Sequence, residues 1–436
     1  MSASDKNLGS TLAAAVTALL GSGVATPARA DELQRWSLDS ALLYYGESDG
    51  RVQDLSAVVG ATRDFDDERY LNVTLTADTL SGASPSGATA LSRPQTFTSP
   101  SGRAVYSTEA GQVPLDDTFL DTRFALTASW TQPFARVYTV SAGLGFSTEY
   151  DYTHLGANLW LARDFNKRNT TVSLGLAYAQ DDIDPVGGTP LPLTQMLDVG
   201  DLSNKRGTES KDVLDVLVGF TQVLSRNTVL RVNYSFSDSS GYLTDPYKIL
   251  SVVDPLTGDT VGRQPPPSAL GPDGVYRYES RPDTRTKHSL FAETKHFFGG
   301  PIGYLSYRYM TDDWGIDSHT LETRLLWPLG ASSYVEPLLR FYRQKEADFY
   351  RSSLVDGEAL PQHASADFRL GRFDATTVGV KFGHTTAGGN EWSARLEYYK
   401  QTGEIPAQQL IGNQANLEQY PDLDAVMIRV GYSFKP

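Results

Sequence analysis

Past residue 30 the chain alternates apolar and polar residues in twos, stretch after stretch. From Val137 to Phe146, the residues Tyr138, Val140, Ala142, Leu144 and Phe146 fall on one face, and threonine, serine and glycine take the other. The same rhythm sets Val172, Leu174, Leu176 and Tyr178 against Thr171, Ser173, Gly175 and Ala177. It also sets Trp392, Ala394, Leu396 and Tyr398 against Ser393, Arg395, Glu397 and Tyr399. Successive side chains on a strand point to opposite faces, so each stretch presents one apolar and one polar wall. Sixteen strands are predicted, near 36–46, 52–65, 69–79, 122–132, 137–150, 152–165, 170–181, 212–224, 228–238, 285–297, 302–312, 317–327, 334–345, 373–384, 391–401 and 423–434. Most exceed the ~9–11 residues that a tilted strand needs to cross a bilayer, and all exceed the ~5–6 usual in soluble sheets.

The connections divide into two kinds. Counting from the N-terminus, every even-to-odd connection is short: Asp66–Glu68, Pro133–Arg136, Asn166–Asn169, Ser225–Asn227, Phe298–Pro301, Pro328–Ser333 and Thr385–Asn390. The long connections, 80–121, 182–211, 239–284, 346–372 and 402–422, all join odd to even strands. Short turns on one rim and long loops on the other are the pattern of an outer-membrane barrel, and an even strand count returns both ends to the short-turn, periplasmic rim. Proline cannot donate to a sheet ladder. Past the first thirty residues it falls almost wholly in the long loops, with Pro133, Pro301 and Pro328 in short turns and Pro337 alone inside a predicted strand. Aromatic residues gather at strand ends, as in Tyr44-Tyr45, Phe297-Phe298, Trp327 and Tyr398-Tyr399, where amphipathic rings favour the headgroup level. The last strand, Val426-x-Ile428-x-Val430-x-Tyr432-x-Phe434, has the form read by barrel-assembly machinery, although Lys435-Pro436 follow it. The expected fold is therefore all-β: an antiparallel transmembrane β-barrel of about sixteen strands, with long extracellular loops and short periplasmic turns.

The first thirty residues read as a secretory signal. Lys6 precedes an apolar run from Leu8 to Val24, and Ala28-Arg29-Ala30 gives a small-x-small cleavage pattern. The expected organisation is a signal peptide over 1–30 and a barrel over 31–436, located in the outer membrane of a Gram-negative bacterium. Composition narrows the function. The chain has no cysteine, which excludes disulfides, thiolate metal sites and lipid anchoring through cysteine. Its 38 Lys+Arg against 52 Asp+Glu leave a net charge of −14, the wrong sign for a nucleic-acid partner. The partners expected are outer-membrane lipid and lipopolysaccharide, the barrel-assembly machinery and a small polar solute.

Several stretches resemble a proteobacterial family known as "domain of unknown function 3570". They are Ala41-Leu42-Leu43-Tyr44-Tyr45-Gly46-Glu47, Ala77-Asp78-Thr79-Leu80-Ser81-Gly82-Ala83-Ser84-Pro85, Ser147-Thr148-Glu149-Tyr150-Asp151-Tyr152-Thr153-His154-Leu155-Gly156, Asp164-Phe165-Asn166-Lys167-Arg168-Asn169, Thr311-Asp312-Asp313-Trp314-Gly315-Ile316 and Tyr398-Tyr399. The resemblance spans the mature chain and implies an exported outer-membrane protein. It carries no substrate and no catalytic residue.

Candidate chemistry lies on the polar strand faces. Between residues 290 and 430 these faces carry Glu293, Lys295, Arg308, Glu322, Arg324, Glu336, Arg340, Lys381, Arg395, Glu397 and Arg429. The alternation leaves both faces open for the strands near 36–46, 285–297 and 334–345. On the lipid side a Lys or Arg near mid-bilayer costs roughly 2–4 kcal/mol, which favours the lumen for these residues. There they either line a pore that selects by charge or brace the barrel as a salt-bridge network. Earlier strands offer a neutral lining: Asn72, Thr74, Thr76, Thr127, Ser129, Thr139, Ser141, Gly143 and Gly145. Asp151 with His154, Asp312-Asp313 with Asp317-His319, Asp181-Asp182-x-Asp184, and Asp254 with Asp259 are sets with donors suited to a divalent cation. Ser289 beside His288 and Ser318 beside His319 point to opposite faces and form no dyad, and there is no Gly-x-Ser-x-Gly elbow. No catalytic, cofactor or specific metal residue is expected. The leading expectation is a channel or transporter for a small polar solute. The alternatives are a structural or docking barrel that serves a partner protein, and, behind both, an outer-leaflet enzyme acting on lipid.

Overall fold

The computed structural model describes residues 35–263 and 270–435. The expected signal segment, 1–30, lies outside the described residues. The strands are β1 (Trp36–Glu47), β2 (Gln53–Asp64), β3 (Tyr70–Pro85), β4 (Gln95–Thr98), β5 (Val105–Thr108), β6 (Leu115–Phe134), β7 (Tyr138–Thr148), β8 (Tyr152–Phe165), β9 (Thr170–Ile183), β10 (Glu209–Ser225) and β11 (Thr228–Gly241). They continue with β12 (Ile249–Val253), β13 (Tyr276–Tyr278), β14 (Thr284–Phe297), β15 (Ile302–Asp312), β16 (Asp317–Leu329), β17 (Ser333–Gln344), β18 (Leu354–Val355), β19 (Arg372–Thr385), β20 (Glu391–Glu404) and β21 (Leu423–Phe434). Sixteen of them close into one barrel, in the order β1-β2-β3-β6-β7-β8-β9-β10-β11-β14-β15-β16-β17-β19-β20-β21. Every neighbour pair is antiparallel, and β21 returns to β1 with Leu38 opposite Phe434 and Glu47 opposite Ala425. Closure leaves no unpaired edge, which a lipid environment requires because it offers no water to an orphaned backbone group.

All sixteen expected strands are present, and two details differ. The strands beside the long loops run further outward than the alternation alone marks: β3 reaches Pro85, β6 begins at Leu115 and β20 extends to Glu404. Pro133 and Pro328, expected in turns, fall inside β6 and β16 near their short-turn ends. Pro337 does lie inside β17, and the β16–β17 ladder is interrupted there, between Arg324 opposite Leu338 and Trp327 opposite Val335, as a missing N–H requires.

The outward face is apolar and exposed. Leu144 is 66% exposed and Leu396 52%, with Phe124, Leu155, Leu290 and Val378 around the same belt. An exposed apolar surface of this extent is a membrane-contact surface. Rings bound it on both sides. Toward the short-turn rim, Phe65 meets Trp130 (ring centroids 5.1 Å), Phe382 meets Trp392 (5.4 Å) and Tyr432 stacks on Phe434 (5.5 Å). Toward the loop rim, outward tyrosines tie their hydroxyls to the next strand: Tyr178 donates to Asp212 (2.6 Å) and Tyr398 to Asp424 (2.6 Å), and Tyr234 and Tyr307 bond His288 (2.8 Å) and His319 (2.7 Å). Each such ring keeps its body in the apolar layer and its polar tip at the water boundary. The molecule has the form of an outer-membrane β-barrel.

The long loops fold into a dome with cores of its own. One cluster packs Phe97, Tyr106, Met196, Ile249, Tyr276 and Tyr278, drawn from three loops, with Phe97 4.6 Å from Tyr276. A second packs Leu193, Leu250, Val252, Leu354, Ala364 and Ala366, and a third surrounds Trp314, Phe349 and Leu370. Strand β12 pairs antiparallel with β13 and parallel with β18. It springs from the β11–β14 loop yet reaches β3, six places around the barrel from β11, where Lys248 donates to Ser84 Oγ (3.1 Å) and to Pro85 O (2.6 Å). The segment therefore crosses the mouth. Gly87 (φ +98°) permits the close approach, since a Cβ there would lie 2.4 Å from Ile249 O.

Beside this crossing lies a network of ions, with the Glu279 N–H donating to Lys248 O (3.1 Å). Arg281 contacts Glu279 at 2.6 Å and Asp367 at 2.8 Å, and both carboxylates have fully buried side chains. Arg369 bridges Asp367 to Asp245, each at 2.5 Å. Burial pushes the Glu279 carboxyl up. Burial would do the same to Asp367, but Arg369 and Arg281 outweigh it and hold that carboxyl well below the usual range.

Candidate functional site

The apolar rows fix the inward face of each strand by alternation, and that face carries Glu293, Lys295, Arg308, Glu322, Arg324, Glu336, Arg340, Lys381, Arg395, Glu397 and Arg429. Some of these form a ladder across the wall. Arg231 pairs with Glu293 (3.0 Å), Glu293 with Arg324 (3.4 Å), Arg324 with Glu322 (3.0 Å) and Glu322 with Arg340 (2.5 Å). Further round, Arg395 bridges Glu336 (3.1 Å) and Glu397 (2.9 Å). The bracing and the pore-lining readings thus apply to different members of one set. Lys295, Arg308, Lys381 and Arg429 stand outside this ion-pair ladder. Lys295 lies over the Tyr304 ring (5.2 Å), Arg308 over Phe291 (5.5 Å) and Lys381 over Tyr334 (5.2 Å). Of the eleven residues seven are cations and four are carboxylates, so this wall is positive inside a chain whose net charge is −14.

The other wall is uncharged over its middle stretch, with Asp78 paired to Arg123 (2.7 Å) toward the loop rim. Thr62, Asn72, Thr74, Thr127, Ser129, Ser141, Gly143 and Gly145 follow one another on β2, β3, β6 and β7, with Thr62 donating to Asn72 Oδ1 (2.8 Å) and Thr131 to Ser141 (2.9 Å). Where the neutral and charged walls meet, at the β1–β21 seam, the lumen contains a cavity of about 430 Å³. Its lining includes Lys381, Arg395 and Arg429 on one side and Thr62, Asn72 and Thr74 on the other. The alternation locates the two walls. It does not bring β21 beside β1, which only closure does, so Asp39, Glu391 and Ser433 went unmarked as lining residues.

The expected cation sets rearrange at the outer rim. His154 turns to Asp181 (Nδ1 to Oδ1, 2.6 Å), and Asp181 also accepts from the Tyr152 hydroxyl and lies 3.4 Å from Lys211. Strand register places Asp181 opposite His154, across the ladder and far away in the sequence. Asp312 is held by Arg285 (2.5 Å), Asp317 accepts from Tyr309 (3.0 Å), and His319 faces outward to Tyr307, so that set does not converge. Asp151 instead joins Asp121 and Glu149, with ligand oxygens within 4.8 Å of one another.

Crowding and burial raise two of these acids, Glu149 and Asp151. Burial, with the hydrogen bond and charge of Asp121, pushes Glu149 up to about 7, and burial with Asp121 pushes Asp151 up to about 6. A carboxyl whose value is higher in the folded than in the unfolded chain favours the fold when protonated, and loses that advantage as pH rises through the folded value. Glu149→Gln is therefore expected to raise the thermal midpoint of the barrel at pH 8 and to change it little near pH 4. The temperature at which gel mobility converts to the unfolded form reads this directly, and an equal gain at both pH values would refute it.

The family model described as "Protein of unknown function (DUF3570)" matches residues 9–434. No curated protein matches the chain. Among solved structures, a bacterial polysaccharide outer membrane secretin aligns with TM-score 0.44 and 10% identity over 92% of this chain and 99% of its own. The CymD monoaromatic hydrocarbon channel aligns with TM-score 0.39 and 8% identity over 92% and 88%. CdiB from Acinetobacter baumannii aligns with TM-score 0.43 and 8% identity over 92% and 60%.

Proposed function

We propose that this chain, which belongs to the DUF3570 family, is a gated outer-membrane channel that passes a small polar solute. The observation that carries the reading is the lumen itself. It has a positive wall whose ion-pair ladder leaves four cations over, a hydroxyl- and amide-lined wall facing it, and a cavity at their junction. A barrel needing only rigidity is served as well by a packed interior, because a buried ion pair gives little net stability over an apolar replacement. Charges that stay wetted suit a passage. The dome crosses the loop-side mouth, so passage requires it to shift, and the channel is closed at rest.

Planar-bilayer recording of the purified protein tests this. Brief conductance steps are expected, and their complete absence over long recordings and across voltage would rule out the channel. A second reading, a docking barrel whose outer surface serves a partner protein, is favoured by one observation: the dome has cores of its own rather than loose loops. Partner capture by cross-linking in intact envelopes, lost when dome residues are exchanged, would favour it.

A further inference from the structure

Strand register brings three cations into one row at the barrel seam. Lys381 on β19 lies directly opposite Arg395 on β20, and Arg395 lies directly opposite Arg429 on β21. Directly opposed residues have Cβ atoms ~4.5–5.5 Å apart, and like charges so placed destabilise a sheet. The row begins beside Glu336, which is opposite Lys381 but pairs with Arg395. Arg395 takes both nearby carboxylates, Glu336 and Glu397, while Lys381 rests against the Tyr334 ring and Arg429 is exposed to the lumen. Among the described residues no carboxylate pairs with Lys381 or Arg429. An anion lying over this row would relieve the repulsion along it.

The rest of the cavity says what else that anion carries. Four residues along the strand from Arg429, roughly 14 Å nearer the short-turn rim, Ser433 lies opposite both Asp39 and Glu391. Ser433 donates to Asp39 (2.5 Å), and Glu391 accepts from the Tyr334 hydroxyl (2.9 Å). These carboxylates keep further lone pairs free, and across from them Asn72 keeps its amide hydrogens free, because its oxygen takes the Thr62 hydroxyl. Acceptors and donors spaced along the cavity suit hydroxyl groups. They would repel a second acidic group.

We propose that this cavity binds a small anion with one acidic end and a hydroxylated body, the acid seated on Lys381, Arg395 and Arg429. Its volume, about 430 Å³, falls within the ~300–1,000 Å³ of small-molecule sites. The inference deepens the channel reading, which supplies the route by which such a solute reaches the site.

Binding is measured on the folded protein in detergent micelles by equilibrium dialysis, which needs no conduction. The probes are gluconate, acetate (the acid without the hydroxyls) and sorbitol (the hydroxyls without the acid). Gluconate is expected to saturate one site, with acetate and sorbitol each about tenfold weaker or more. The double variant Lys381→Gln/Arg429→Gln is expected to lose gluconate binding by about tenfold or more, and the charge-preserving Lys381→Arg/Arg429→Lys to retain it. Heat-dependent gel mobility verifies that each variant is folded, and Lys167→Gln in a short turn serves as the control. The proposal is overturned if gluconate does not saturate, if acetate or sorbitol binds as well as gluconate, or if the double glutamine variant binds normally. A barrel that binds gluconate without conducting keeps the site and loses the channel, and one that conducts without binding gluconate does the reverse.

Discussion

Replacing Arg281 with alanine is expected to turn a channel that opens briefly into one that stays open for most of a recording. Arg281 lies between Glu279 and Asp367, whose side chains are fully buried, and Glu279 adjoins the segment that crosses the mouth. Removing one partner from a buried pair typically costs ~3–5 kcal/mol, because the remaining charge is stranded. Here two carboxylates lose the same cation, and Arg369 remains to serve only Asp367 and Asp245. A shift of even ~3 kcal/mol toward the displaced dome raises its population on the order of a hundredfold. The barrel should survive, since its sixteen-strand ladder does not include these residues. The check is open probability in planar bilayers alongside heat-dependent mobility. Unchanged gating in a folded Arg281→Ala barrel would separate the dome from the gate.

Charge reversal inside the lumen is expected to have the next largest effect. The wild-type wall carries seven cations and four carboxylates among the residues singled out. The double substitution Lys381→Glu/Arg429→Glu makes it net negative in a space with low-dielectric walls that focus the field. Under a salt gradient the wild type should show a reversal potential on the anion-selective side, and the variant one on the cation-selective side, with the permeability ratio changed by about tenfold. High salt should shrink both preferences by screening. Identical reversal potentials would place the conducting path away from this wall.

How legible the molecule was in its sequence depended on the range of the interactions. The barrel strands were legible because a two-residue alternation is a local property and each strand writes its own. The lumen charges were legible for the same reason: given the apolar row, parity assigns Arg308 or Glu397 to the other face. Pairings were not. His154 meets Asp181 and Lys381 meets Arg395 through cross-strand register, and Arg429 comes beside Leu43 only because the barrel closes. The dome was the least legible part. Its loops are rich in glycine and proline and carry no period, and their buried residues, such as Phe97, Met196 and Tyr276, come from three separate connections. Nothing in one loop announces the partner that will cover it. The ion network around Arg281 is hidden in the same way, because Glu279 and Asp367 lie on different loops.

The barrel wall divides into two faces, lumen positions wetted and intervening positions in lipid. The chain has no cysteine, so single introduced cysteines report without background. Ser129→Cys and Ser393→Cys, on inward positions of β6 and β20, should react with a small water-soluble maleimide when the barrel is in membranes. Ala128→Cys and Ala394→Cys, one residue away and outward, should react only after the barrel is unfolded. Equal labelling at neighbouring positions, or labelling of the outward pair alone, would contradict the account.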